Sequence, residues 1–172
     1  MRGELGQVYL DVSELSTDKI HPVLKSAGLD SQSSTKATVV MWFLLGVFHS
    51  TSMLYKMKKS ASKKCPFCSF EEDIPHILLF CKKYVDIRDP FLVQLTFANT
   101  FIPNYSDNPD ILLISFLDPE SPSLPDEIKN NWQSTDKIYE LSRNYCYNIY
   151  RMREKSMKNL VNQTQGITKS TN

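Results

Sequence analysis

A chain of 172 residues with 41% apolar and 23% charged residues matches globular averages, which excludes wholesale disorder and allows one core without disulfide staples. The formal net charge is +1, so any basic surface for nucleic acid has to be local. The longest apolar run, Val39–Phe48, falls far short of a membrane span.

Residues 1–33 read as a lead-in segment, with an apolar patch over 8–15 and Pro22 placed to open a short helix. Ser31–Ser34 reads as a loop able to cap the helix that follows. From Thr35 to about Met57 the pattern is helical and apolar nearly all round, as in a core helix. Lys56 to Lys64 then holds five lysines and no acid. A cysteine-histidine cluster runs from Cys65 to about Tyr84. An amphipathic stretch over 85–101 follows, with Pro90 near the start of its helix. A loop, a short apolar segment (111–117) of undetermined type and a linker rich in Pro, Ser and Asp (118–133) come next. The spacing predicts an amphipathic helix over 134–161, capped at Ser134–Asp136, and a disordered polar tail over 162–172.

The pattern Cys65-x2-Cys68-x7-His76-x4-Cys81 carries the chemistry. Two cysteines two residues apart can face one ion from a tight turn, which Pro66 stiffens. Zinc takes four sulfur or nitrogen ligands in a tetrahedron, and a Cys3His set closes it, leaving no open position for catalysis. The expectation is one structural Zn2+ held by Cys65, Cys68, His76 and Cys81. One difficulty is visible at once. On a straight α-helix, residues five apart diverge by about 140°, at roughly 100° per residue, so His76 and Cys81 require a loosened helix end. The acids Glu71, Glu72 and Asp73 read as a solvated turn. Cys146 reads as a partly buried thiol. The first thirty residues lack the order of a signal peptide, and three of the four cysteines cluster beside a histidine. Together these suggest an intracellular chain, nuclear or cytoplasmic and not secreted.

Two surfaces invite phosphate. Lys56, Lys58, Lys59, Lys63 and Lys64 flank the first cysteine, and each phosphate they neutralised would release counterions. On the last helix, Ile138, Leu141, Tyr145, Ile149 and Met152 share one face, with Arg143, Arg151, Lys155 and Lys158 opposite. Tyr147 lies between the arginines, where it could stack a base.

The segment KCPFCSFEEDIPHILLFCKKYVDIRD resembles the zinc-binding region C-terminal to the reverse transcriptase of non-LTR (LINE-type) retrotransposons. That family repeats a CPxC turn, an acidic pair, a histidine and a last cysteine, followed by a tyrosine and an arginine, which here are Tyr84 and Arg88. His21-Pro22-Val23 and the run Trp42–Phe48 resemble its lead-in helix, and 116–122 with 146–150 resemble its tail. The lead-in helix departs from the family in having only Lys36 before an apolar run. The paired aspartates that a polymerase needs for two metal ions are missing, so no polymerase activity is expected, and the resemblance implies a detached accessory piece. Some such elements carry a metal-dependent nuclease. Its signature has an echo in Asp110, Glu127 and Lys129, but that chemistry needs adjacent strands, and the sequence before Glu127 is a poor strand.

The sequence therefore predicts a mainly α-helical fold. A small helical zinc-binding domain over 34–117 would be built around one Cys3His turn. The function it implies is non-catalytic binding of RNA or DNA through lysine and arginine contacts to phosphate, with no membrane partner. The alternatives are a zinc-stabilised protein-interaction module without nucleic acid, and the nuclease.

Overall fold

The computed structural model describes residue 9 and residues 20–25, 27–104 and 106–169, the last nine by their backbone. The described residues are mainly helical. Among them six α-helices follow in chain order: α1 (Ser31–Leu44), α2 (Thr51–Lys56), α3 (Val85–Ala98), α4 (Pro109–Leu117), α5 (Asp126–Lys129) and α6 (Thr135–Lys169). Among the described residues strand pairing is limited to one isolated antiparallel bridge, Lys64 with Glu71. α6 is the organising element, packing against α1, α3 and α4.

The expected helix over 35–57 is two helices. Gly46 has φ +68°, a conformation that favours glycine. The amides of Gly46 and Val47 bond back to the carbonyls of Phe43 (3.1 Å) and Trp42 (3.0 Å). That is a Schellman cap. It ends α1 and folds Phe48 onto Phe43, ring centroids 4.1 Å apart. The N-cap of α1 is Asp30, one residue before the expected Ser31–Ser34 loop; its carboxylate accepts from the Ser33 amide at 2.8 Å. Pro22 does open a 3-10 turn, capped by the His21 ring. The apolar patch over 8–15 lies outside the described residues except for Tyr9, whose amide donates to the Leu44 carbonyl at 2.8 Å.

Pro90 lies inside α3, not near its start, because a 3-10 turn over Lys82–Tyr84 launches the helix early. The undetermined segment 111–117 is helical, with Asn108 as its cap. The expected linker is packed. Leu124 and Ile128 are buried, the Asn99 side chain donates to the Ile128 carbonyl at 2.7 Å, and the Tyr139 phenol donates to Asp118 at 3.0 Å. Ser134 caps α6 as expected, accepting from the Lys137 amide at 3.3 Å. The helix runs on to Lys169, so the tail expected to be disordered is helical as far as that residue; residues 170–172 lie outside the described residues.

The core holds the rings of Phe91, Phe116 and Tyr145, with Phe91 stacked on Tyr145 at 4.0 Å. Ile138, Tyr145 and Ile149 face inward as the helical spacing predicts. Cys146 is fully buried, deeper than expected. Burial pushes its thiol up to about 12 from 9.0. A neutral thiol favoured by folding stabilises the fold below about pH 9, and that stabilisation is lost as pH climbs toward 12. At pH 8, mass mapping after treatment with a thiol reagent is expected to find Cys146 unmodified until the chain is unfolded. Fast modification with the fold intact would contradict the burial.

Candidate metal centre

The first two ligand positions sit on a hairpin-like turn. The Cys65 amide donates to the Phe70 carbonyl at 2.6 Å, and the Ser69 amide donates to the Cys65 carbonyl at 3.1 Å. Ser69 takes a left-handed conformation, φ +65°, to close the turn. This small unit is clasped from α2: the Thr51 hydroxyl donates to the carbonyls of Lys63 (3.1 Å) and Lys64 (3.0 Å).

The other two ligands come from a helical turn. Asp73 caps it, accepting from the His76 amide at 2.8 Å. Pro75 precedes a π-helical stretch, His76–Phe80. The Cys81 amide closes it onto the His76 carbonyl at 2.6 Å, the i→i+5 bond that defines a π turn. Such a turn brings residues five apart onto the same side, which removes the divergence of a straight α-helix. It also buries Ile77, Leu78 and Leu79.

All four ligand atoms lie within 4.8 Å of one another. Cys65 Sγ and Cys81 Sγ are 3.8 Å apart, Cys68 Sγ and Cys81 Sγ 3.9 Å, and Cys68 Sγ and His76 Nε2 3.1 Å. A tetrahedron with metal–sulfur bonds of about 2.3 Å has sulfur–sulfur edges of about 3.8 Å. The two sulfur pairs match it, and the sulfur–nitrogen pair falls short of the corresponding edge of about 3.6 Å. The donor set thus fits a single metal ion. Cys65, His76 and Cys81 are buried and Cys68 is half-buried. Burial pushes the Cys65 and Cys81 thiols up and the His76 ring down, against the pull of Asp73 and Glu72. Without metal the imidazole is therefore neutral and ready to ligate, whereas the Cys65 and Cys81 thiols hold protons that an ion must displace. Cys146 is not part of the cluster.

The acidic turn is not uniformly solvated. Glu71 is exposed, 4.0 Å from Lys63, and Asp73 caps a helix, but Glu72 is wholly buried. Its carboxylate accepts from the Thr51 amide at 2.6 Å and pairs with Arg153 of α6 at 2.8 Å. Arg153 also lies over the Phe48 ring at 5.8 Å. A second tether runs from α6, where the Tyr145 phenol donates to the Leu78 carbonyl of the π turn. A third runs from α3, where Arg88 Nη1 donates to the Cys81 carbonyl at 3.1 Å. Tyr84 is fully buried, edge-on to Phe67. The metal turn is thus the dock on which α2, α3 and α6 converge.

The lysines expected on the adjoining surface, Lys56, Lys58, Lys59, Lys63 and Lys64, are all exposed. Lys58 stands in a left-handed conformation, φ +57°, at the Schellman cap of α2; Lys58 and Lys59 amides bond to Tyr55 and Leu54 carbonyls. On α6, Arg151, Lys155 and Lys158 are exposed and Arg143 is half-buried. Tyr147 is already engaged: Lys36 and Arg151 both lie over its ring at 5.9 Å. Asp110 and Glu127 fall in the first turns of α4 and α5, and Lys129 pairs with Asp126 at 3.0 Å. The adjacent strands that the nuclease signature requires are not among the described residues. No helix among them is long and apolar enough to cross a membrane.

Glu72 and Arg153 form a buried clamp on the metal turn that composition did not flag. Arg153 had a signal: it lies four residues after Ile149, on the apolar face of α6, where an arginine has to find a buried partner. Comparison with protein-family models, curated proteins and solved structures finds no match for this chain.

Proposed function

We propose that the ion of the Cys3His cluster is Zn2+ and that the chain is a non-catalytic accessory module which binds RNA or DNA through phosphate, as its resemblance to the C-terminal region of non-LTR reverse transcriptases implies. Three thiolates and an imidazole suit zinc by ligand softness and by tetrahedral spacing. Bound zinc would fix the turn. It would supply no reaction step, because four protein ligands fill its coordination.

The observation that carries the binding reading is the exposed run of five lysines, 56–64, leading directly into the metal turn. Lys58 adds to it. A left-handed conformation costs a residue with a Cβ about 1–2 kcal/mol, so glycine would be the cheaper occupant unless the charge is used. α6 adds Arg151, Lys155 and Lys158 on its outer side. Affinity from such contacts falls steeply with salt. Changing the five lysines to serine is expected to weaken binding to a short RNA or DNA at 50 mM salt by roughly a hundredfold or more through the lost phosphate contacts, and to flatten the salt dependence of what remains, as read by fluorescence anisotropy. No binding by the native chain at low salt would overturn the reading.

A second reading has its own support. A groove of about 350 Å³ is lined by Leu92, Val93, Thr96, Ile102 and Pro103, and Phe97 on the same helix is 76% exposed. Exposed apolar surface of this kind marks protein contacts. It favours a zinc-stabilised interaction module, which would keep its partner at high salt.

A further inference from the structure

Lys36 is the one charged residue of α1, and its side chain is not loose in solvent. Its Nζ lies over the Tyr147 ring of α6, 5.9 Å from the centroid. Arg151, one turn further along α6, lies over the same ring, also at 5.9 Å. Its Nη1 donates to the Tyr147 phenol oxygen at 3.2 Å. One tyrosine therefore gathers a cation from each of two packed helices. Lys36 and Tyr147 are half-buried, and Arg151 is exposed.

The surroundings hold this seat in place. The Tyr150 ring is 6.4 Å from that of Tyr147 and meets Trp42 of α1 edge-on at 5.9 Å. Side chains two positions apart on a helix point about 200° apart, at roughly 100° per residue. The turn of α6 that sends Arg153 inward to Glu72 thus sends Arg151 outward, so the tether to the metal turn also fixes how Arg151 is presented.

Neither cation pairs with a carboxylate among the described residues. Asp30, whose charge acts on Lys36, already bonds the Ser33 amide at 2.8 Å and the Ser33 hydroxyl at 2.7 Å. A tyrosine face attracts a cation, but two cations drawn to one ring repel each other. An anion at the seam would relieve that repulsion. What the seam presents is charge and N–H donors, which suit phosphate. Resting on the nucleic-acid reading above, we infer that the seam between α1 and α6 is a phosphate clamp: Lys36 and Arg151 hold the phosphodiester backbone, and Tyr147 is the positioning residue that seats both cations.

The test is fluorescence anisotropy with a short labelled oligouridylate and the matching oligoadenylate. The chains compared are the native one, Lys36→Gln, Arg151→Gln, the pair together, Tyr147→Ala and Tyr147→Phe. Lys137→Gln, which removes an exposed cation elsewhere on α6, is the charge control. Metal content and thermal midpoint control for the fold. Lys36→Gln and Arg151→Gln are each expected to weaken both oligonucleotides alike, by about five- to tenfold at 50 mM salt, and to lower the salt slope by about 0.7, the share of one phosphate on a single strand. The pair together should remove two such shares. Tyr147→Ala keeps both charges but takes away their seat, and should weaken binding by more than twofold. Tyr147→Phe, which keeps the ring, should restore native affinity, and Lys137→Gln should stay within twofold of it. Losses under twofold with an unchanged slope at Lys36 and Arg151, or a loss at Lys137 as large as theirs, would overturn the clamp and leave the lysine run 56–64 as the binding surface. A loss confined to one of the two homopolymers would mean that bases are read there, and would overturn it as well. No binding of the native chain to either oligonucleotide at low salt would remove both readings together.

Discussion

Stripping the metal from the Cys3His cluster with a chelator is expected to lower the thermal midpoint by roughly 10–20 °C, the shift that follows from a loss of about 5 kcal/mol in a chain of this size. Structural zinc binding is folding free energy, and its apparent magnitude in isolated fingers is larger than that figure. Within itself the turn is held by few bonds, and its other ties run to the helices around it. Its backbone bonds are few, and one residue, Ser69, is in a left-handed conformation. Without an ion the ligand atoms crowd within 4.8 Å and the Cys65 and Cys81 thiols keep their protons. The loss should spread, because α2, α3 and α6 all anchor on this turn through Thr51, Arg88, Tyr145 and Arg153. Cys81→Ser should reproduce it. Acid should as well, since protons compete with the metal for the thiolates, so metal content falls as pH falls. Metal analysis of the reduced native protein is expected to give about one ion per chain by the four-ligand count. A stoichiometry near zero, or a midpoint indifferent to chelator, would remove the metal from the account.

The second large effect is expected at the buried ion pair. Arg153→Met should destabilise the chain by about 3–5 kcal/mol, because it leaves a carboxylate in the interior without its counter-charge. Glu72 would retain only the Thr51 amide at 2.6 Å. The apolar stem of methionine can still cover Phe48, so the cost falls on the charge more than on packing. Pairing the change with Glu72→Leu should recover most of the loss, since removing both partners of a buried pair is often neutral. Urea unfolding of the four-member cycle measures the coupling. If Arg153→Met alone costs under 1 kcal/mol, the pair is not holding α6 to the metal turn.

The metal cluster was legible in the sequence because ligand chemistry is carried by few residue types at short spacing. The helical class was legible from the apolar periodicity, and the inward face of α6 followed from its 3.6-residue repeat. What failed was governed by single residues or by distant partners. Gly46 splits an apolar run that reads as one helix, because a left-handed cap outweighs continuous helix propensity. Segment 118–133 reads as a linker by its prolines. Its sparse apolar residues, Leu124 and Ile128, are nonetheless buried, and Asp118 and Asn99 fasten it. Glu72 is indistinguishable by composition from Glu71 and Asp73 on either side. Only the fold, which brings a residue 81 positions away against it, separates a buried clamp from a solvated acid.

The π turn also sets a limit on how this segment tolerates insertion and deletion. Removing one residue between His76 and Cys81 would leave the pair four apart, a spacing an ordinary α-helix already presents on one face, so the metal could still be held. The same deletion would take a side chain out of the core wherever it fell on Ile77, Leu78 or Leu79, all three of which are buried. The segment therefore answers to the ion and to the core at once. A shortened turn that keeps the ligands on one face suits the core only if it spares those three residues.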